Sequence, residues 1–211
     1  MRLASRLHLA TTALILVASL ARAQVRVPAR ALCTAGDQRL DAPTSPTCAA
    51  YRAILDSARK HKLPTEPLED KALQGVASES DGQTIVATVL KLYTNLGLAQ
   101  KSLGVASTDK ELKAAAQVLD AGATPHDLAM LRSAPIPRRN LETALTVLEE
   151  LAVEVPISVA VPDVKYMLDV NRSDADLQKL QLNVQAQIKA GGEPVFVINA
   201  AARAFPPIPH K

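Results

Sequence analysis

The chain has 211 residues, enough for one domain with a sizeable core. It is 48% hydrophobic and only 2% aromatic, with no tryptophan, so the core must be aliphatic and the faces that stack bases or sugars are scarce. The formal charge is +3, but its distribution along the chain removes the basic surface that nucleic-acid binding needs.

Arg2 and Arg6 begin the chain, Leu9–Leu20 is an apolar run, and Ala21-Arg22-Ala23 follows. A charged start, a short apolar run and small residues at the cut describe a secretory signal peptide over residues 1–23, cleaved between Ala23 and Gln24. The run is too short for a membrane span, and no cysteine lies near the cut to carry a lipid. Residues 1–23 hold Arg2, Arg6 and Arg22 and no acid, so removing three of 24 basic residues leaves 21 against 21 acidic ones. The mature chain is then neutral, which argues against nucleic acid and anionic lipid as partners. The expected location is periplasmic or secreted, soluble and not lipid-anchored.

Residues 24–47 read as an irregular arm, turn-rich over Ala42-Pro43-Thr44-Ser45-Pro46-Thr47. Cys33 and Cys48 are the two cysteines. In an exported chain they read as a disulfide that ties the arm back, with two unpaired thiols as the alternative. Two thiols are too few for a structural metal site, and the spacing is not the Cys-x-x-Cys of a redox pair.

Helical patterns fill residues 48–205. Cys48, Tyr51, Leu55 and Ala58 share one helix face, and Leu63-Pro64 ends that helix. Thr65 and Pro67 open a short helix that Gly75 closes. Ser78 or Ser80 caps a broad-striped, central helix carrying Ile85, Val89, Leu92 and Leu96, which Gly104 ends. Thr108 with Glu111 forms a capping box ahead of Leu112, Ala115, Ala116 and Leu119. Gly122 stops that helix and Thr124-Pro125 starts the next, with Leu128 and Leu131. Pro135-Ile136-Pro137 forces a break, and Asn140 caps a helix through Leu145 and Leu148. Ser173 with Asp176 resembles a second capping box, ahead of Leu177, Leu180 and Val184. Gly191-Gly192 ends that helix, Pro194 opens a last one, and residues 206–211 form a Pro-rich tail.

Two stretches leave an alternative open. Residues 153–161 alternate with period two, and residues 195–198 are β-prone, so the two could pair as a small ribbon. Pro156 disfavours a paired strand, and a turn there leading into a helix through Val164, Met167 and Leu168 is the preferred reading. The expected fold is all-α, a compact array of about seven to nine short helices, with a solenoid as one form of it.

Gly75-Val76-Ala77-Ser78 recurs as Gly104-Val105-Ala106-Ser107, and Ala121-Gly122-Ala123-Thr124 and Ala190-Gly191-Gly192-Glu193 are looser copies. On these joints the chain resembles a loose class of exported bacterial all-helical proteins in which Gly-Val-x-x joints separate short helices. The resemblance covers about residues 50–205 and implies export and an all-helical fold. It brings no activity, cofactor or catalytic residue. Residues 153–161 depart from it, with Glu154 where a joint glycine is expected.

Chemistry-bearing motifs are sparse. There is no Gly-x-Ser-x-Gly elbow, His-Glu-x-x-His, phosphate loop or EF-hand. His61 ends a helix within Arg59-Lys60-His61-Lys62, where cations complement the helix dipole. His126 beside Asp127, with Asp120, is a weak metal candidate; Glu150 with Glu154 is a weak carboxylate pair. Arg138-Arg139 is the candidate contact for acidic groups on a partner. No enzyme, metal or cofactor is expected. The sequence points to an exported binding, scaffold or accessory module of the envelope, working through apolar grooves between helices. The alternative is a carrier holding a small apolar ligand or lipid in an aliphatic cavity.

Overall fold

The computed structural model describes Cys33, residues 46–134 and residues 139–205. The expected signal peptide with its cut between Ala23 and Gln24, the rest of the expected arm up to residue 45, Arg138 and the expected tail 206–211 lie outside the described residues. Among the described residues there are nine helices and no strand: α1 (Pro46–Lys60), α2 (Glu66–Ala77), α3 (Gly82–Leu103), α4 (Asp109–Asp120), α5 (Pro125–Arg132), α6 (Glu142–Leu151), α7 (Ile157–Asp169), α8 (Asp174–Lys189) and α9 (Pro194–Arg203).

The helices form two layers. In one, α1 packs on α3, α3 on α5, α5 on α7 and α7 on α9; in the other, α4 packs on α6 and α6 on α8. Contacts of α2 with α3, α3 with α4, α6 with α7 and α8 with α9 join the layers. Stacking of each helix on its next-but-one neighbour is how a helical solenoid propagates. The core between the layers is aliphatic, with Leu68, Ile85, Leu96, Leu128, Leu145, Leu148 and Leu151 fully buried; Tyr51 is the one aromatic ring among the largest fully buried side chains.

The joints repeat one device. Lys62, Glu79, Gly122, Asn171 and Gly191 adopt positive φ. The next residue in each case donates its N–H to the carbonyl five positions back, as in Leu63 to Ala58 (2.9 Å), Ser80 to Gly75 (3.0 Å) and Gly192 to Gln187 (2.9 Å). This closes the helix on its own last turn and reverses the chain within a few residues. The two identical Gly-Val-Ala-Ser tetrapeptides behave differently, against the sequence expectation. Gly104 sits past the end of α3 at φ 92°, whereas Gly75 lies inside α2 and Glu79 takes the left-handed position. Gly75 is needed for packing instead: a Cβ there would fall 2.7 Å from Cγ1 of the buried Ile85.

Most caps fall where expected. Thr108/Glu111 and Ser173/Asp176 form full capping boxes, as does Thr124/Asp127. Asn140 accepts from the Glu142 N–H at 2.7 Å. The cap of α3 is Asp81, which takes the Thr84 N–H at 2.9 Å, not Ser78 or Ser80, because those residues are used in closing α2. The ribbon alternative is overturned. Val155 turns back onto the Leu151 carbonyl, α7 starts directly after Pro156, and Ile157, Ala160, Val161, Val164 and Leu168 are buried at helical spacing. Residues 195–198 are the first turn of α9, where the Glu193 carboxylate accepts the Phe196 N–H at 2.8 Å.

Cys33 and Cys48 stand at disulfide distance, Sγ to Sγ 2.11 Å, and both are buried. This joins the arm to the first turn of α1.

One polar group organises the middle of the array. Glu111, in the first turn of α4, is only 3% exposed. One carboxylate oxygen accepts the Thr108 N–H (2.9 Å); the other accepts the Leu141 N–H (2.9 Å) and an Arg132 guanidinium N–H (2.7 Å). Burial pushes this carboxyl up, but the two backbone N–H groups and Arg132 outweigh it and hold Glu111 below its ordinary value.

E111Q strands the Arg132 charge and breaks the joint of α4, α5 and α6, so chemical denaturation should show a loss of about 2–4 kcal/mol. A depressed carboxyl stabilises the fold above its unfolded value and loses that contribution as pH falls, so wild-type stability should decline below about pH 4.5 more steeply than that of E111Q. E79G removes the cost of a left-handed side-chain-bearing residue and should raise stability by about 1 kcal/mol, read as an upward shift in thermal midpoint.

Candidate functional site

Among the described residues the two layers leave a wide opening beside α2. α4 packs on α6 and α6 on α8, but α2 does not pack in the same way on α4. Between them lies an open slot of about 970 Å³. Its floor is α3, through Ala87, Thr88, Lys91 and Leu92. One wall is α2, from Glu66 to Ala77, and the other is α4, through Lys113, Ala116, Gln117 and Asp120.

The lining mixes small and aliphatic groups with charges of both signs. Glu66, Asp70 and Asp120 are matched by Lys71, Lys91 and Lys113. Lys91 on the floor pairs with Asp120 at 2.5 Å, and Lys113 reaches across to Asp70 at 3.9 Å. All four of these side chains are about half exposed or more, where an ion pair contributes little. Lys113 also faces Glu149 on α6. Burial and the neighbouring Glu150 raise that carboxyl, with Lys113 acting in the opposite sense. The slot can hold a surface that is apolar in the middle and carries both charges at its edges.

The residues singled out in the sequence do not converge there. Arg139 was expected to be exposed for a partner; instead its side chain is 13% exposed. It donates to the Arg172 carbonyl and pairs with Asp174 at 3.2 Å, which ties the start of α6 to the α7–α8 joint. Arg139 also lies against the Arg132 side chain, which donates to the Arg139 carbonyl at 2.8 Å. His126 is exposed in the first turn of α5. Asp120 faces the slot, paired with Lys91. Glu150 accepts from Gln181 on α8, and Glu154 lies past the end of α6, so these two do not share a helix face. His61 bonds the Tyr93 hydroxyl at 3.0 Å. Among the described residues, no group of three or more His, Cys, Asp or Glu side chains is placed to hold a metal ion.

Sequence reasoning missed a second buried carboxylate. Asp163 on α7 is 3% exposed and faces α9, with the Asn199 amide at 3.4 Å and Arg203 at 4.0 Å. Burial raises this carboxyl, opposed by Arg203 and by Asn199. Arg203 also lies over the Tyr166 ring at 4.1 Å, so the cluster fastens the end of α9 to α7. The only sequence signal is a charged residue on the apolar face of a helical period, at Asp163 between Val161 and Val164. The slot had no signal: its lysines and acids look like ordinary solvated positions until α2 is placed.

No helix among the described residues is long and apolar enough to cross a membrane. Comparison with protein-family models, with curated proteins and with solved structures gave no match.

Proposed function

We propose that this protein works by contact, as an exported helical binding or accessory module of the cell envelope, and that the slot between α2 and α4 is its contact surface. The observation that carries this reading is the slot itself, an open groove that mixes Leu73, Ala87 and Leu92 with exposed charges of both signs. Such a site suits an amphipathic segment of a polypeptide partner, whose apolar stripe would cover Leu73, Ala87 and Leu92 while its charges exchange with the weak rim pairs. A carrier of apolar cargo needs an enclosed, unpolar cavity, and the charged rim and open side of the slot favour the contact reading over it.

Export is supported by the signal-like start and by the cysteine pair at disulfide distance, since such bonds persist in oxidising compartments. The resemblance to exported all-helical proteins with glycine joints agrees with this. No catalytic step is part of this reading: Asp120, Glu150 and Arg139 each engage a different partner, and His126 is exposed.

Filling the slot tests the proposal. Ala77 and Ala87 are exposed in its lining, so A77W and A87W should leave the thermal midpoint unchanged. Each should reduce the amount of envelope polypeptide bound to the immobilised mature chain at least tenfold. Undiminished binding by both variants would place the contact elsewhere. A lipid bound to the wild-type protein in native mass spectrometry, with no polypeptide captured, would favour the carrier.

A further inference from the structure

The slot has one stiff wall and one that is weakly held. α4 buries Glu111, Leu112, Ala114, Ala115, Ala116 and Val118, whereas α2, equally long, buries only Pro67, Leu68 and Ala72. Among the described residues the extensive packing of α2 is on α3 alone. Near its C-terminal end the missing side chain of Gly75 lets the backbone settle on Ile85. The chain then reverses at once through Glu79. Leu73 on α2 and Leu92 on α3 are half-buried and both line the slot. Across the slot, the Asp70–Lys113 pair is long, 3.9 Å, and both side chains are about half exposed.

We propose that α2 is a hinged flap that pivots about the Gly75–Ile85 contact and opens and closes the slot, with Asp70 and Lys113 as its latch. Closing brings Leu73 and Leu92 together and shortens the latch. Opening withdraws Pro67, Leu68 and Ala72 from the core, half as many residues as α4 buries. The flap therefore opens as a unit without disturbing α3 to α9, the behaviour of a low-stability segment on a rigid scaffold.

Hydrogen–deuterium exchange on the intact mature protein, with no partner present, tests this independently of what the slot binds. In the wild type, α2 amides should exchange well before those of α3 and α4. D70K and K113D each place like charges across the slot and should speed exchange in α2 about two- to five-fold, with D70K, which stays clear of Glu149, leaving α3, α4 and α6 unchanged. The double variant D70K/K113D should return α2 to near the wild-type rate. Protection of α2 equal to that of α3, acceleration spread over the whole molecule, or failure of the double variant to restore the rate would overturn the proposal. Loss of slot binding in A87W together with α2 protection equal to that of α3 would leave the contact reading standing without the flap.

Discussion

A carboxylate sealed from water at the start of α4 constrains the array more than any other group. Glu111 could not remain charged in an aliphatic core without full compensation. Its partners come from three places: its own cap at Thr108, the end of α5 through Arg132, and the backbone at the start of α6 through Leu141. A shift of any of these helices along its axis would leave a buried charge or N–H unpaired. Arg132 in turn holds the Arg139 carbonyl, and Arg139 holds the Arg172 carbonyl and Asp174. A polar chain thus runs across one end of the molecule and sets the starts of α4, α6 and α8 side by side. Aliphatic packing alone tolerates sliding between such helices, since leucine and alanine faces are much alike; the polar chain selects one register.

The slot follows from the same arrangement. α4, α6 and α8 are held in step at their starts, but α2 precedes the polar chain and has no group in it. Among the described residues it packs extensively on α3 alone, through Pro67, Leu68, Ala72 and the Gly75 contact, and the exposed, weak Lys113–Asp70 pair reaches across the gap to α4. The candidate working surface lies where the polar chain stops. This is a common division of labour between a rigid frame and a loosely held element.

Local structure was largely legible in the residues. Capping boxes at Thr108 and Ser173, the turn at Pro156 and the glycine stops at Gly104, Gly122 and Gly191 are short-range chemistry, and each acts within one turn of helix. Misreadings arose where a residue served a distant partner. Gly75 looked like a stop because its identical tetrapeptide at Gly104 is one, yet Gly75 is spent on Ile85. Arg139 looked solvated because its partners lie more than thirty positions along the chain. Glu111 was read correctly as a cap, but a capping box shows nothing of the two further partners that make it a hub.

The sequence by itself determined the helices, their order, their short joints and the aliphatic character of the core, because periodicity, caps and turn residues are decided within a few neighbours. It also determined the neutrality of the chain beyond its first 23 residues, a matter of counting. Tertiary structure alone decided which charges are buried, which arginine is taken, and that α2 stands off from α4. Those outcomes depend on residues brought together across the two layers, and no local pattern carries the distance between a lysine on one helix and an aspartate on another.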